Sequence, residues 1–116
     1  MTVLKISNQL IDAYDIVHSS GRTFNDLKPQ NIMVDKDKSG ELHIVLIDFG
    51  FSAKYITQEG CHISDLELKE SFQGNILFSS LDQMEFKHTS RKDDMISLCY
   101  MIFYMLNDLK MPGFST

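Results

Sequence analysis

Apolar side chains recur at spacings of three and four between residues 3 and 18, which is the pattern of an amphipathic helix. The positions concerned are Val3, Ile6, Leu10, Ala13, Tyr14 and Val17. The pattern stops before Ser19-Ser20-Gly21, and a glycine at this place commonly adopts the left-handed conformation that ends a helix. We therefore predict a helix over residues 3–18 with Gly21 as its C-terminal cap.

Two short apolar stretches, residues 32–34 and 42–47, are separated by a polar segment. The second stretch is rich in β-branched residues, which favour strands. Two short strands joined by a polar turn predict a β-hairpin. Asp26 and Asn31 come just before the first strand and Asp48 comes just after the second, so the hairpin would bring these three side chains to one end.

Residues 51–88 show no sustained period, and a connection of this length without clear structure is usually functional or mobile. Residues 90–106 return to a helical pattern. Ser90 at the N-cap and Asp93 three residues later match a capping box. The run that follows is apolar on nearly every face, so we predict a buried helix in which Cys99 is a buried thiol.

The composition is that of an ordinary soluble globular protein, because 43% of the 116 residues are apolar and 23% are charged. This length favours one domain or part of one. The net charge of −5 argues against nucleic acid as the main partner.

No membrane association is expected, because the longest apolar run has nine residues and the N-terminus lacks the apolar core of a signal peptide. The two cysteines show no paired spacing, which favours a reducing compartment. We therefore expect an intracellular location, either cytoplasmic or nuclear.

The polar side chains at the predicted end of the hairpin match the needs of phosphoryl transfer. This reaction needs a carboxylate to accept the hydroxyl proton, hard oxygen ligands for Mg²⁺, and a cation near the transferred group. Asp26 could be the base and Lys28 could reach the γ-phosphate, while Asn31 and Asp48 offer oxygen atoms to the metal. Gly50 gives the backbone freedom that a moving metal-binding loop uses. The simpler alternative is a turn in which these residues only shape the backbone.

The segment Asp26-Leu27-Lys28-Pro29-Gln30-Asn31, followed by Asp48-Phe49-Gly50, resembles the catalytic and magnesium-binding loops of eukaryotic protein kinases. The resemblance covers nearly the whole chain and implies an α+β fold, the mainly helical large lobe of a kinase with short β-hairpins. It implies a catalytic loop at 24–31, a magnesium loop at 48–50, an activation segment at 51–82 and a buried central helix at about 90–106. Ser90 to Leu98 and Ser80-Leu81-Asp82 resemble the casein kinase I group.

The resemblance also implies an activity that uses ATP and Mg²⁺. Asp26 and Lys28 would be catalytic, Lys28, Asn31 and Asp48 would bind the nucleotide, and Asn31 and Asp48 would hold the metal. Asp94 would anchor the catalytic loop by accepting backbone N–H bonds. In this family a lysine two residues after the catalytic aspartate goes with serine/threonine kinases, so the implied partner is a protein substrate with a Ser or Thr hydroxyl.

Four positions depart from the family pattern. Phe24-Asn25-Asp26 stands where the family usually has His-Arg-Asp, and Asn25 has no guanidinium to clamp a phosphorylated activation segment. Asn75 replaces the threonine that bridges the catalytic aspartate and lysine, and it would make this bridge only in part. Leu77 replaces an arginine of the casein kinase I anion pocket, so we do not expect a preference for phosphate-primed or acidic substrates.

No glycine-rich loop and no Val-Ala-Ile-Lys strand occur in the 116 residues. We therefore expect the small lobe and the last helices of the large lobe to be absent from this chain. Because an ATP site needs both walls, the chain alone is expected to be inactive or nearly so. The alternative hypothesis is a truncated, inactive kinase-like module that binds proteins, with a partner that supplies or covers the missing small-lobe surface.

Overall fold

The structure, a computed structural model, describes residues 2–63 and 68–113 and has an α+β architecture. Its first helix, α1, spans Thr2–Ser19 and buries Ser7, Leu10 and Tyr14. This agrees with the helix that the apolar spacing predicts over residues 3–18. Gly21 has a φ of 84° and donates its N–H to the His18 carbonyl at 3.0 Å, as a left-handed cap does.

A two-residue strand, β1 (Arg22–Thr23), follows α1 and pairs antiparallel with β4 (Ala53–Lys54). The sequence pattern did not predict this pairing, because two residues are too few to show a period. The pairing brings the segment that follows Gly50 alongside the chain that leads into Asp26. Residues 64–67 of the predicted activation segment lie outside the described residues.

The predicted hairpin is present as β2 (Ile32–Lys36) and β3 (Leu42–Leu46), which pair antiparallel with Ile32 opposite Leu46. Its turn is organised by Asp37, whose Oδ1 accepts the N–H groups of Ser39 at 2.9 Å and Glu41 at 3.0 Å. Hydrogen bonds from the Ser39 hydroxyl and the His43 ring, together with the Glu41 N–H, hold the pKa of the Asp37 carboxyl well below its usual range.

One side chain fastens the hairpin to α1. Gln9 donates through Nε2 to the Leu42 carbonyl at 2.5 Å and accepts the Ile44 N–H through Oε1 at 2.8 Å. The amide of Gln9 therefore takes the place of a neighbouring strand for part of the β3 edge. This contact sets the position of the hairpin and of the residues at its ends.

Two further helices complete the chain, the short α2 (Leu81–Met84) and the longer α3 (Arg91–Leu106). Asp93 caps α3 as predicted, because its Oδ2 accepts the Ser90 N–H at 2.8 Å. The prediction that α3 is a buried helix is wrong for part of its surface. One face is buried, whereas Phe103 on the other is 47% exposed.

The predicted burial of the Cys99 thiol is also wrong, because this residue is exposed. Cys99 directly follows the buried Leu98, and one residue along a helix turns the side chain by about 100°. The buried face of α3 packs against α1, and Tyr104 meets Phe78 with its ring centroid at 5.2 Å. An apolar sequence does not reveal which face of the helix has a neighbour.

The hydrophobic core lies between α1, α3 and the loop that contains Asp26. Its buried members are Leu10, Tyr14, Phe24, Leu27, Leu46, Phe78, Leu98 and Met101. Phe24 and Leu27 flank the polar pair Asn25-Asp26. Because the side chains of Phe24 and Leu27 are buried in the core, they hold the loop in place. Within the described part of the chain, no helix has the length and apolar character needed to cross a membrane.

We predict that Gln9→Ala lowers the free energy of unfolding by about 1–2 kcal/mol, because two hydrogen bonds to the β3 edge are lost. Chemical denaturation followed by circular dichroism measures this loss. The control is Asn8→Ala, at an exposed position of the same helix, which should change stability by less than about 0.5 kcal/mol. Equal effects of the two substitutions would contradict the proposed attachment.

Candidate active site

The candidate site is anchored by Asp94, which lies in the first turn of α3 and is 1% exposed. Its Oδ2 accepts the backbone N–H of Phe24 at 2.7 Å, and its Oδ1 accepts that of Asn25 at 2.8 Å. These are the contacts that the resemblance implied for Asp94. The helix N-terminus favours the negative charge, so both the dipole and the N–H groups stabilise the buried carboxylate.

A third donor reaches the same carboxylate from α1. His18 Nε2 lies 2.7 Å from Asp94 Oδ2, and the ring stacks on Tyr14 with a centroid distance of 5.3 Å. The Tyr55 hydroxyl donates to the His18 carbonyl at 2.6 Å. Burial raises the pKa of the Tyr14 phenol well above its usual value, and the nearby Asp94 charge raises it further. No sequence pattern marks His18 as part of the site, because 76 residues separate it from Asp94.

Asp26, the predicted base, follows a residue in an unusual backbone conformation. Asn25 has a φ of 71°, a left-handed value that asparagine tolerates better than most residues. Asn31 Nδ2 donates to the backbone carbonyl of Asp26 at 2.8 Å and to the side-chain Oδ2 of Asp26 at 2.9 Å. Asn75 Nδ2 lies 3.2 Å from Oδ1. Each carboxylate oxygen of Asp26 therefore has an amide donor that fixes its direction.

Lys28 is the cation of the site. Its Nζ lies 4.0 Å from Asp26 Oδ2, and its side chain is 36% exposed. At this distance the ammonium is attracted by the carboxylate but is not tied to it by a short hydrogen bond. Asn75 bonds to Asp26 and, at 3.0 Å, to the Leu27 carbonyl, rather than to Lys28. It makes only the Asp26 half of the bridge, as its sequence position indicated.

Asp48 is brought to this end of the hairpin as predicted. The Ile47 N–H donates to the Asn31 carbonyl at 2.9 Å, so the chain that leads into Asp48 lies beside Asn31. Asp48 has a φ of 65° and an exposed side chain, and its Oδ1 accepts the Gly50 N–H at 3.1 Å. The ring of the next residue, Phe49, packs edge-to-face with the ring of Phe24, with the two ring centroids 5.0 Å apart. This contact holds the loop against the site.

The residues present fit a magnesium ion. The side-chain nitrogen of Asn31 donates to Asp26, so its side-chain oxygen, Oδ1, is the atom that can accept or bind a metal. Asp48 adds an exposed carboxylate. Mg²⁺ prefers such hard oxygen ligands and commonly takes only one or two from the protein, with the rest from phosphate and water. Among residues 2–63 and 68–113, no cluster of three or more His, Cys, Asp or Glu side chains could hold a metal ion.

Asn25 has a contact that the sequence did not predict. Its Nδ2 donates to the Phe51 carbonyl at 2.8 Å, which ties the loop before Asp26 to the segment after Gly50. An asparagine here therefore reaches the backbone of that segment directly, whereas a guanidinium would offer its donors to a phosphate.

Comparison with known proteins finds similarity to protein kinases. A sequence model of the protein kinase domain matches residues 2–113. A probable casein kinase I homolog from Encephalitozoon cuniculi is 32% identical over 100 residues, which cover 86% of this chain and 30% of that protein. The chain thus spans about 30% of the length of this curated relative.

We predict that Asp94→Asn lowers the free energy of unfolding by about 2–4 kcal/mol. The substitution removes the charge and turns an amide N–H₂ towards at least one of the donors at Phe24, Asn25 and His18. Guanidinium denaturation is the measurement.

The control for this substitution is Asp12→Asn, at an exposed position of α1, which should shift stability by less than about 0.5 kcal/mol. A loss below 1 kcal/mol for Asp94→Asn would mean that the three contacts do not stabilise the fold as described.

Proposed function

We propose that this chain, which belongs to the protein kinase family, carries the catalytic loop of a serine/threonine kinase that resembles casein kinase I. Membership rests on the domain match over residues 2–113, and the casein kinase I likeness rests on the 32% identical relative. The proposed reaction transfers the γ-phosphate of ATP to a protein hydroxyl. The observation that carries the proposal is the Asp26 carboxylate, held by two amides with Lys28 Nζ at 4.0 Å.

Asp26 is the proposed general base. A base must point at the proton that it accepts, and the amide donors of Asn31 and Asn75 leave the carboxylate few alternative orientations. Its proposed role is to align the substrate hydroxyl for attack and to accept the hydroxyl proton.

Lys28 is the proposed contact for the transferred phosphoryl group. Its partly exposed ammonium lies close to the base without a short bond to it, so it remains available to a phosphate oxygen. Asn31 and Asp48 are the proposed ligands for Mg²⁺, which, when bound, would offset negative charge on the phosphates. Positioning and charge stabilisation supply most of the rate enhancement in this chemistry.

We further propose that the chain is the large-lobe part of the kinase domain. In this assignment residues 24–31 are the catalytic loop, 48–50 the magnesium loop, 51–82 the activation segment and 90–106 the central helix. These elements form one wall of a nucleotide site, so tight binding of ATP would require a second wall. In this proposal the site also binds a protein substrate, which presents a Ser or Thr hydroxyl.

Exposed apolar side chains favour a second candidate function, protein binding by a kinase-like module without activity. On the hairpin Met33 is 58% exposed and Val45 56% exposed, and on α3 Leu106 is 63% exposed. Apolar surface of this kind promotes association. A thermal shift with ATP and Mg²⁺ that disappears in Asp48→Asn would favour the enzyme, and no shift at millimolar nucleotide would favour the binding module.

We predict that Asp26→Asn lowers turnover by about 10²–10⁴-fold in the full protein that contains these residues, because the amide cannot accept the proton. The stability loss should stay below about 2 kcal/mol, since an asparagine fills the same space. Phosphate transfer to a Ser-containing peptide, together with chemical denaturation, measures both effects. Asp12→Asn is the control at an exposed position, and near-normal turnover in Asp26→Asn would overturn the assignment.

A further inference from the structure

Gln83 on α2 is a buried polar residue, 4% exposed, that the proposed mechanism does not use. Its Nε2 donates to the Asn25 carbonyl at 2.7 Å and to the Gln73 carbonyl at 2.7 Å. Asn25 directly precedes the base, and Gln73 comes two residues before Asn75, which contacts the base. We propose that Gln83 is a positioning residue, which joins the catalytic loop to the segment that orients the Asp26 carboxylate.

A local capping role does not explain this side chain. Ser80 and Gln83 have the spacing of a capping box, in which the glutamine side chain would bond back to the N–H of the N-cap residue. The backbone half of such a cap is present, because Ser80 Oγ accepts the Gln83 N–H at 3.2 Å. The Gln83 side chain instead leaves its own helix and bonds to two distant segments.

The orientation of the Gln83 amide is fixed by its partners. Both partners are carbonyl oxygens, so the nitrogen must face them and the oxygen must face away. Gln83 Oε1 is buried and has no hydrogen-bond partner among the described residues, which carries a desolvation cost. An apolar side chain of similar length would fill the space without that cost. The two bonds that the nitrogen donates are therefore the distinctive contribution of Gln83.

Gly74 makes room for this contact. A Cβ atom at position 74 would lie 2.3 Å from Gln83 Nε2 and 3.0 Å from the Asn25 carbonyl oxygen. The φ of Gly74 is 141°, a value that other residues rarely adopt. Gly74 and Gln83 therefore form a matched pair, because the missing side chain of one admits the amide of the other.

The short helix that carries Gln83 is itself anchored to α3. Ser80 Oγ donates to Asp93 Oδ1 at 2.5 Å, and Asp93 is the neighbour of Asp94. Asp94 holds the N–H of Asn25, and Gln83 holds its carbonyl. Asn25 is thus fixed on both sides of its α-carbon by bonds that lead back to the first turn of α3. Fixing the backbone of Asn25 in this way also fixes the position of the next residue, Asp26.

The positioning role of Gln83 rests on the proposed kinase function, whereas its contact with Gly74 does not. The first test is Gln83→Met in the full protein that contains this chain, assayed where circular dichroism shows every variant folded. Methionine keeps the length but removes the donor. We expect kcat to fall about tenfold, the effect of roughly 1.4 kcal/mol of lost positioning, with KM for ATP changed less than twofold.

Gln58→Met, at an exposed glutamine, is the matched control and should leave kcat unchanged. An unchanged kcat in folded Gln83→Met would overturn the positioning role, because a residue that only filled space would be replaced without effect. A protein that shows no kinase activity before any substitution would count against the proposed function and not against the Gln83 contact.

The second test needs no activity and uses the cycle of Gly74→Ala, Gln83→Ala and the double variant. We expect Gly74→Ala to lower the unfolding midpoint less when residue 83 is alanine, since the closest clash is then removed. Equal effects of Gly74→Ala in both backgrounds would contradict the matched pair. If Gly74→Ala does not fold alone but folds with Gln83→Ala, the contact is supported.

Discussion

The arrangement of the site depends on the hydrogen bonds that the buried carboxylate of Asp94 accepts. A buried charge is costly unless it is fully bonded, and this one has two backbone N–H donors, a histidine nitrogen and the N-terminus of α3. Because the donors come from α1 and from the loop before Asp26, satisfying the charge requires these elements to meet in one geometry. The hydrogen bonds that stabilise the buried Asp94 carboxylate thus also fix the position of Asp26, the candidate base.

The neighbouring Asp93 makes the same kind of connection to a different segment. It accepts the N–H of Ser90, the residue just before α3, and a hydrogen bond from the hydroxyl of Ser80, the residue just before α2. Two consecutive acidic residues, both 1% exposed, therefore hold two different segments: Asp94 holds the loop before Asp26, and Asp93 holds the start of α2. Gln83 then joins the two segments to each other, which closes a ring of hydrogen bonds around Asn25.

The helices and the hairpin could be predicted because their signals are local. The three-four spacing of α1, the Asp93 cap of α3 and the polar turn at Asp37 each depend on residues close together in the chain. The motif around Asp26 and the motif at Asp48 were brought together by that hairpin. Their proximity follows from the antiparallel register of its two strands.

The contacts that the sequence did not reveal join residues far apart in the chain. His18 meets Asp94 across 76 positions and Gln83 meets Asn25 across 58, so no short pattern marks either pair. The exposure of Cys99 and Phe103 was missed for a related reason. Apolar composition predicts that a helix can be buried, but burial itself depends on which neighbours the fold supplies.

Amide hydrogen exchange at Phe24 and Asn25 tests the role of Asp94 most directly. If Asp94 holds the loop before Asp26, both amides exchange slowly in the native protein and lose protection in Asp94→Asn by more than the amide of Ile44, which bonds to Gln9. Exchange at Phe24 and Asn25 that is as fast as in an exposed loop, or that changes only as much as Ile44, would contradict the account.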